Sequence, residues 1–203
     1  MWCAPPRQQD KLPVTPLSVG SDSVTPVRCV RDLGINSDMS MLTHVSKTVA
    51  KCFASLRRLR SIRRLVSQSV ALSLVTALTT TQLDCGGATL AGIPRHLMNR
   101  LQSVLNAAAH LVYKSRKYDH VTHLLRDLHW LRVPGRIQFR LAIQVYLCRH
   151  NLAPLYLAND LHWTDESEAL QRLRSGARQR RIVPRTRLRT IGDRAFGVAA
   201  SRF

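Results

Sequence analysis

The clearest pattern in the chain is a recurrence of apolar residues every three or four positions. It runs from Leu42 to Leu59 and is the signature of an amphipathic helix. Ser40, just before this stretch, is a residue type suited to cap a helix N-terminus. Charged residues enter the apolar stripe over 60–64, so we expect the first helix to end or bend near Ser61.

Two further helices follow, with different patterns. The second should start near Ser67 and is apolar on most sides, which predicts that it is the most buried helix. Its apolar positions are Val70, Leu72, Leu74, Val75 and Leu78. Gly86 and Gly87 should end it. Pro94 suits the first turn of a third helix, which positive residues over 114–117 should close. That helix has an apolar stripe formed by Leu97, Leu101, Val104, Leu105, Ala108 and Leu111.

The second half of the chain predicts shorter helices and then an irregular tail. We expect helices over 123–131 and 136–150, separated by a turn at Pro134-Gly135, and a short helix after Pro154. Beyond Thr164 the periodicity fades and arginines accumulate with almost no acidic residues among them. A segment of this composition is expected to be extended or irregular on its own.

The N-terminal residues predict β structure and turns. Five prolines and a turn at Gly20–Ser23 interrupt the first 26 residues, and the alternating positions from Val27 to Ile35 suggest one strand of a sheet. The predicted fold class is therefore mainly α, a helical bundle with a short β segment at the N-terminus and an irregular Arg-rich C-terminal tail. We expect four segments: 1–38, 39–117, 118–163 and 164–203.

The charge points to a polyanionic partner. The chain has 31 Lys and Arg against 12 Asp and Glu, a formal net charge of +19. Such a surplus attracts nucleic acid, and it also attracts anionic membrane surfaces. A basic helix face is usually an ordinary solvated surface, but the net charge of +19 favours binding of a polyanion here. The candidate nucleic-acid-binding residues are Lys47, Lys51, Arg57, Arg58, Arg60, Arg63, Arg64, Arg178, Arg180, Arg181, Arg185 and Arg187.

A membrane span and a secretory signal are both disfavoured. The best candidate span, Leu65 to Leu83, has nineteen residues without a formal charge, but nine of them are Ser, Thr or Gln, which favours a buried helix. The first residues have prolines where a signal peptide would need an apolar run. The five cysteines include no C-x-x-C pair, which favours a reducing compartment. We expect an intracellular protein, nuclear or cytoplasmic.

A polymerase-type metal site is not indicated. Such sites need two or three converging carboxylates, yet the chain has no adjacent Asp-Asp pair. Its acidic cluster, Asp165, Glu166 and Glu168, lies in a segment without a predicted scaffold, which favours a solvated loop. The spacing Gly87-x-x-x-x-Gly92 is followed by Ile93-Pro94, where a phosphate loop needs lysine and a hydroxyl.

Zinc and nucleophile sites are also weakly supported. The nearest candidate ligand pairs for zinc are His120 with His123 and Cys148 with His150, at spacings that match no standard pattern, so structural or surface histidines are favoured. There is no Gly-x-Ser-x-Gly nucleophile motif. No catalytic residue, metal or cofactor is therefore predicted.

A series of short sequence motifs, in order along the chain, resembles those of a known protein family. These motifs are Val30-Arg31-Asp32-Leu33-Gly34-Ile35, Leu56-Arg57-Arg58-Leu59-Arg60, Leu83-Asp84, Leu90-Ala91-Gly92-Ile93-Pro94, Leu101-Gln102-Ser103-Val104-Leu105-Asn106-Ala107-Ala108-Ala109, Asp119-His120-Val121-Thr122, Leu128-His129-Trp130-Leu131, Ala153-Pro154-Leu155-Tyr156-Leu157, Val183-Pro184-Arg185-Thr186-Arg187 and Gly192-Asp193-Arg194-Ala195-Phe196. They extend over nearly the whole chain. On these motifs the chain resembles the part of non-LTR (LINE-type) retrotransposon reverse transcriptases that follows the catalytic palm.

The resemblance implies a role for each predicted segment. It implies that 1–38 is a remnant of the palm, 39–117 a thumb-like helical domain, 118–163 a helical connector and 164–203 a basic tail. It also implies that the polymerase aspartates, which would bind Mg²⁺ in the parent enzyme, lie upstream of this chain, and that an endonuclease domain is absent. The chain departs from the family pattern at Cys85-Gly86-Gly87 and at His123, where a proline is common.

Two functions follow as expectations. The first is a catalytically incomplete fragment of an RNA-directed DNA polymerase that still binds RNA, DNA or their hybrid without sequence preference. The second is a structural or interaction module that associates with itself through the surface a palm would otherwise cover.

Overall fold

The computed structural model describes residues 15–27, 30–32, 35–37, 41–116, 118–163, 182–186 and 192–201. Helices dominate these residues, and the strands all lie near the N-terminus in antiparallel pairs. The predicted fold class, mainly α with a short β segment at the N-terminus, is confirmed.

The N-terminal strands form two hairpins. β1 (Leu17–Val19) pairs with β2 (Asp22–Val24) across a turn in which Gly20 has a φ of 65°, and β3 (Val30–Asp32) pairs with β4 (Ile35–Ser37). The prediction of one strand from Val27 to Ile35 is therefore wrong. Asp32 pairs with Ile35, so the strands are separated by two residues, the commonest length of a hairpin connection.

The chain divides into two compact units, which we describe separately. Unit 1 comprises Met1–Cys85 and Arg95–Trp130, and unit 2 comprises Gly86–Pro94 and Leu131–Phe203. The structural statements about each unit concern its described residues. The four segments expected from the sequence stay predictions.

Unit 1 is built on helix α1 (Leu42–Ile62), which ends within one residue of the predicted Ser61. Its buried side chains, including Val45, Val49 and Leu56, follow the predicted apolar stripe. The residue at the N-cap is Met41, which makes no side-chain capping bond, whereas Ser40 lies outside the described residues. Met41 has a φ of 59°, a conformation that costs an L-residue about 1–2 kcal/mol, and burial of its side chain offsets that cost.

A second helical stretch runs from Gln68 to Asp84 and changes its geometry in the middle. It consists of α2 (Gln68–Val75), a π-helical turn (Thr76–Thr80) and α3 (Thr81–Asp84). The predicted start is confirmed, because the Ser67 hydroxyl accepts a hydrogen bond from the Val70 backbone N–H at 3.4 Å. Gly86 follows with a φ of 66° and ends the stretch as expected.

The prediction that this stretch is the most buried helix is wrong. Val70 and Leu78 are exposed, and Leu72 and Leu74 are half-buried. The π-helical turn shifts the helical phase, so that Thr79 and Thr80, rather than Leu78, face the interior. Both threonine hydroxyls are buried, and neither makes a hydrogen bond within the described residues.

The buried face of the π-helical turn packs on Cys52 of α1. The Cys52 thiol donates towards the Thr79 carbonyl oxygen and towards Gln82 Oε1, each at 3.8 Å. Burial raises the pKa of Cys52 to about 11, although the positive charge of Lys51 acts to lower it. The thiol is therefore protonated and shielded near neutral pH.

Helix α4 (Arg95–Tyr113) supplies more buried apolar residues to unit 1 than any other of its described helices. The six predicted stripe residues are all buried, together with Ala109 and Val112. The helix ends as predicted at the positive residues, where Lys114 has a φ of 56°. Helix α5 (Val121–Asp127) packs on α4 through Leu124 and Leu125, and it begins and ends earlier than the predicted 123–131.

Unit 2 is built around helix α6 (Val133–Arg149). The prediction of a turn at Pro134-Gly135 is wrong, since both residues belong to the first turn of α6, and Arg132 occupies the N-cap position. Proline is favoured there because the first turn of a helix leaves its N–H groups without intrahelical partners. A 3₁₀ turn (Gly87–Leu90) packs against α6, and helix α7 (Leu155–Ala158) follows Pro154 as predicted.

The prediction of an irregular segment from residue 164 misses a helix. Helix α8 (Phe196–Ala200) packs against α6, and Ala200 shares a buried cluster with Val145, Cys148 and Leu161. A Cβ atom at Gly197 would lie 2.7 Å from the Asp160 carbonyl oxygen, so only glycine permits this approach. Five residues are too few to show helical periodicity in a sequence.

None of the helices in the described ranges has the length and apolar character needed to cross a membrane.

Replacement of Leu105 by alanine should lower the free energy of unfolding by about 2–5 kcal/mol, because its side chain is fully buried on α4. Leu65→Ala is the matched control, since Leu65 is 85% exposed in the same unit and should change stability by less than about 0.5 kcal/mol. Urea titration followed by circular dichroism measures both. Equal effects of the two substitutions would contradict the core described above.

The cysteines should differ in their reaction with iodoacetamide. Of the three cysteines in the described ranges, Cys85 is exposed and should be alkylated first in folded protein at pH 8, whereas Cys52 and Cys148 are buried and should be protected. Burial raises the pKa of both buried thiols and so reduces the fraction of reactive thiolate. Mass spectrometry of the labelled peptides measures the order, and unfolding in urea should abolish it. Rapid labelling of Cys52 in folded protein would contradict the packing of the π-helical turn.

Candidate nucleic-acid interface

Helices α1 to α4 of unit 1 lie in a stretch of chain that is almost free of acidic residues. Between residues 41 and 118 there are twelve lysines and arginines, and Asp84 is the single acidic residue. The cores of α1 and α4 are apolar, so the cations of these two helices are placed largely on outward faces. A surface of this kind has few local carboxylates to neutralise it and a strong positive potential.

One row of cations follows the length of α1. Lys47, Lys51 and Arg58 are exposed, and their spacing of four and seven residues places them on one face of the helix. The row is about 16 Å long at the rise of an α-helix. That length corresponds to roughly five base-pair steps of a duplex. The row lies opposite the buried stripe, as the sequence predicted.

A denser cluster lies at the C-terminal end of α1. Arg57, Arg60 and Arg64 are exposed, and Arg63 is half-buried at the C-cap. Burial lowers the pKa of Arg63, and the positive charges of Arg60 and Arg64 lower it further. The negative end of the helix dipole stabilises cations here, but their mutual repulsion remains. A bound anion would relieve that repulsion.

Helix α4 adds two cations that are not among the candidate residues predicted from the sequence. Arg100 Nη1 donates a hydrogen bond to Ser46 Oγ at 3.0 Å, which brings its guanidinium to the residue before Lys47 on α1. Arg95 is exposed in the first turn of the same helix. Both residues fall outside the apolar stripe of α4. Their positions relative to that stripe could have identified them as surface cations from the sequence. Contact between the two helices could not be inferred from either one alone.

The C-terminal candidates belong to another part of the chain. Arg185 is exposed and lies in unit 2. Arg178, Arg180, Arg181 and Arg187 lie outside the described residues. The candidate interface that can be described is therefore the surface of α1 with Arg95 and Arg100 of α4, which we call the α1/α4 basic surface.

The two candidate pairs of zinc ligands lie in different units of the chain. His120 and His123 are exposed in unit 1, whereas Cys148 is buried and His150 exposed in unit 2. Within the described ranges, no three His, Cys, Asp or Glu side chains form a group that could hold a metal ion. The acidic residues Asp165, Glu166 and Glu168 lie outside those ranges.

Comparisons of this chain with protein-family models, with curated proteins and with solved structures found no match.

Proposed function

We propose that this chain binds RNA, DNA or their hybrid without sequence preference, through contacts between phosphates and the α1/α4 basic surface. The observation that carries the proposal is the row of exposed cations on α1 together with Arg100 of α4, which donates a hydrogen bond to Ser46 of α1, in a stretch that contains one acidic residue. Lysine and arginine contacts to phosphates release condensed counterions, and this term supplies most of nonspecific nucleic-acid affinity.

The proposal includes a non-catalytic role, that of the thumb and connector of a LINE-type reverse transcriptase. The sequence motifs that resemble this family support it, and so does the lack of an adjacent aspartate pair in the sequence. In such a role the chain would hold a nucleic acid rather than act on it. Phosphate contacts suit this task, because they fix position without reading sequence.

The test compares two variants of equal charge. The first replaces Lys51, Arg57 and Arg58 of α1 by glutamine. The second, the control, replaces three exposed cations outside α1 and α4 by glutamine: Lys114, Arg116 and Arg126. Each variant removes three positive charges, so any difference between them reports a site rather than the net charge.

Binding to a fluorescent duplex is measured by anisotropy over a series of salt concentrations. The α1 variant should bind about tenfold or more weakly at low salt, and its slope of log affinity against log salt should be shallower by about three, since each lost phosphate contact removes roughly 0.9 from the slope. The control variant should retain most of the affinity and slope of the unmodified chain. Equal losses in both variants would refute a localised interface.

A second candidate function, self-association, is favoured by one observation in the N-terminal hairpin. Leu17, Val19 and Val24 are all exposed on β1 and β2, and Leu17 pairs with Val24. Side chains alternate between the two faces of a hairpin, so these three apolar residues share one face. An exposed apolar face next to strand edges is a typical contact between protein chains.

If the hairpin mediates self-association, the chain should sediment as an oligomer in high salt, where charge contacts are screened. Val19→Lys with Val24→Lys should convert it to a monomer. Ser18→Lys with Ser23→Lys is the matched control, because these serines pair on the opposite face of the same strands. Analytical ultracentrifugation distinguishes the outcomes, and a monomer before any substitution would exclude this function.

A further inference from the structure

Helix α6 has two apolar faces, and only one of them is buried. Val133, Ile137 and Leu141 are buried within the chain. On the other side, Phe139, Ile143 and Tyr146 are 57%, 42% and 59% exposed. Their spacing of four and three residues places them in one row along two turns of the helix, about 10.5 Å long. We call this row the α6 aromatic face.

Further rings and arginines lie at the C-terminal end of α6. The Tyr146 ring contacts the exposed His150 ring with 4.1 Å between their centroids. The Arg149 guanidinium lies over the ring of Trp163, 4.6 Å from its centroid. The contact with His150 restricts the Tyr146 side chain before any ligand binds, which reduces the entropy lost on binding.

The surroundings of the α6 aromatic face are positively charged. Arg132, Arg136 and Arg140 recur every four residues along α6. The absence of a side chain at Gly87 makes room for the Arg140 side chain, since a Cβ atom there would lie 2.9 Å from Arg140 Cδ. No acidic residue occurs in the sequence between residues 128 and 159.

The chemistry of this face selects among possible occupants. A second copy of the chain, also at +19, would bring arginines against arginines at the periphery of the contact. A single-stranded nucleic acid instead offers both groups that the face can bind, namely base rings for the aromatic side chains and phosphates for the arginines. Bases in a duplex are stacked on each other and cannot reach such a face.

We propose that the α6 aromatic face binds single-stranded nucleic acid, with bases stacking on Phe139 and Tyr146 and phosphates attracted by the nearby arginines. The site lies in unit 2 and shares no residue with the α1/α4 basic surface. It extends the function proposed above from phosphate contacts to base contacts. Base stacking is tolerant of sequence, because every base has a ring face.

The experiment compares a short oligothymidylate with an abasic oligonucleotide of the same length, which has the same phosphates but no bases. Anisotropy of labelled oligonucleotides gives both affinities for the full chain. The normal oligonucleotide should bind at least about fivefold more tightly than the abasic one, the effect expected from one stacked base. Equal affinities for the two oligonucleotides would overturn the proposal.

Two variants assign the preference to the α6 aromatic face. Phe139→Leu with Tyr146→Leu removes the rings but keeps apolar side chains, and it should abolish most of the preference for the normal oligonucleotide. Tyr118→Leu is the control, because Tyr118 is 90% exposed in unit 1, and it should keep the preference. Retention of the preference by the double variant would overturn the proposal.

The outcomes separate this inference from the proposed function. Loss of the α1 cations should weaken binding of the normal and the abasic oligonucleotides by the same factor, whereas loss of the α6 rings should leave duplex binding unchanged. Either result can fail without the other. A dimer in protein free of nucleic acid, converted to monomer by Phe139→Asp with Tyr146→Asp, would overturn the proposal and assign the face to a second copy.

Discussion

The packing of α1 along α4 is the contact on which the rest of unit 1 depends. The two helices bury apolar stripes against each other, and the π-helical turn and α5 are built onto this pair. Leu105 and Val104 of α4 and Val45 of α1 are fully buried, and close-packed interiors tolerate little change of volume at such positions. Because one side of each helix is committed to this contact, the cations are confined to the outer sides. The same packing therefore creates both the core and the basic surface.

This arrangement places a cost on the folded state. Cations gathered on one surface repel each other. At the end of α1, burial lowers the pKa of Arg63, and the positive charges of Arg60 and Arg64 lower it further. The apolar core has to offset this repulsion between cations, since a high net charge opposes the compact state. A polyanion bound to the surface would remove the cost and so stabilise the fold by mass action. The proposed affinity for nucleic acid and the stability of the fold would therefore depend on the same charge distribution.

The sequence predicted the long helices of unit 1 because their signal is local. The stripes of α1 and α4 repeat over several turns, and residues such as Ser67 and Gly86 mark boundaries through backbone chemistry that needs no tertiary contact. The cation row on α1 was predictable for the same reason, as it is the complement of the apolar stripe.

The features that the sequence did not reveal depend on contacts between distant residues or on irregular geometry. The π-helical turn changes which side chains are buried after Val75. A prediction that assumes a constant 3.6 residues per turn does not include that change. The first turn of a helix and a loop both accept proline, so the sequence around Pro134 does not distinguish a turn from the start of α6. Arg100 joins the basic surface because α4 lies beside Ser46. Helix α8 has only five residues, too few for a stable isolated helix, and it packs on α6.

Helix α8 has a kinetic consequence for unit 2. Ala200 completes a buried cluster with Val145, which lies about 55 residues earlier in the chain. Contacts over such separations form only after the entropy of closing a long loop has been lost, and they slow folding relative to contacts between neighbouring helices. Until that closure, the apolar end of α6 stays uncovered by α8. The buried cluster of unit 2 is therefore complete only after one five-residue helix has returned to α6.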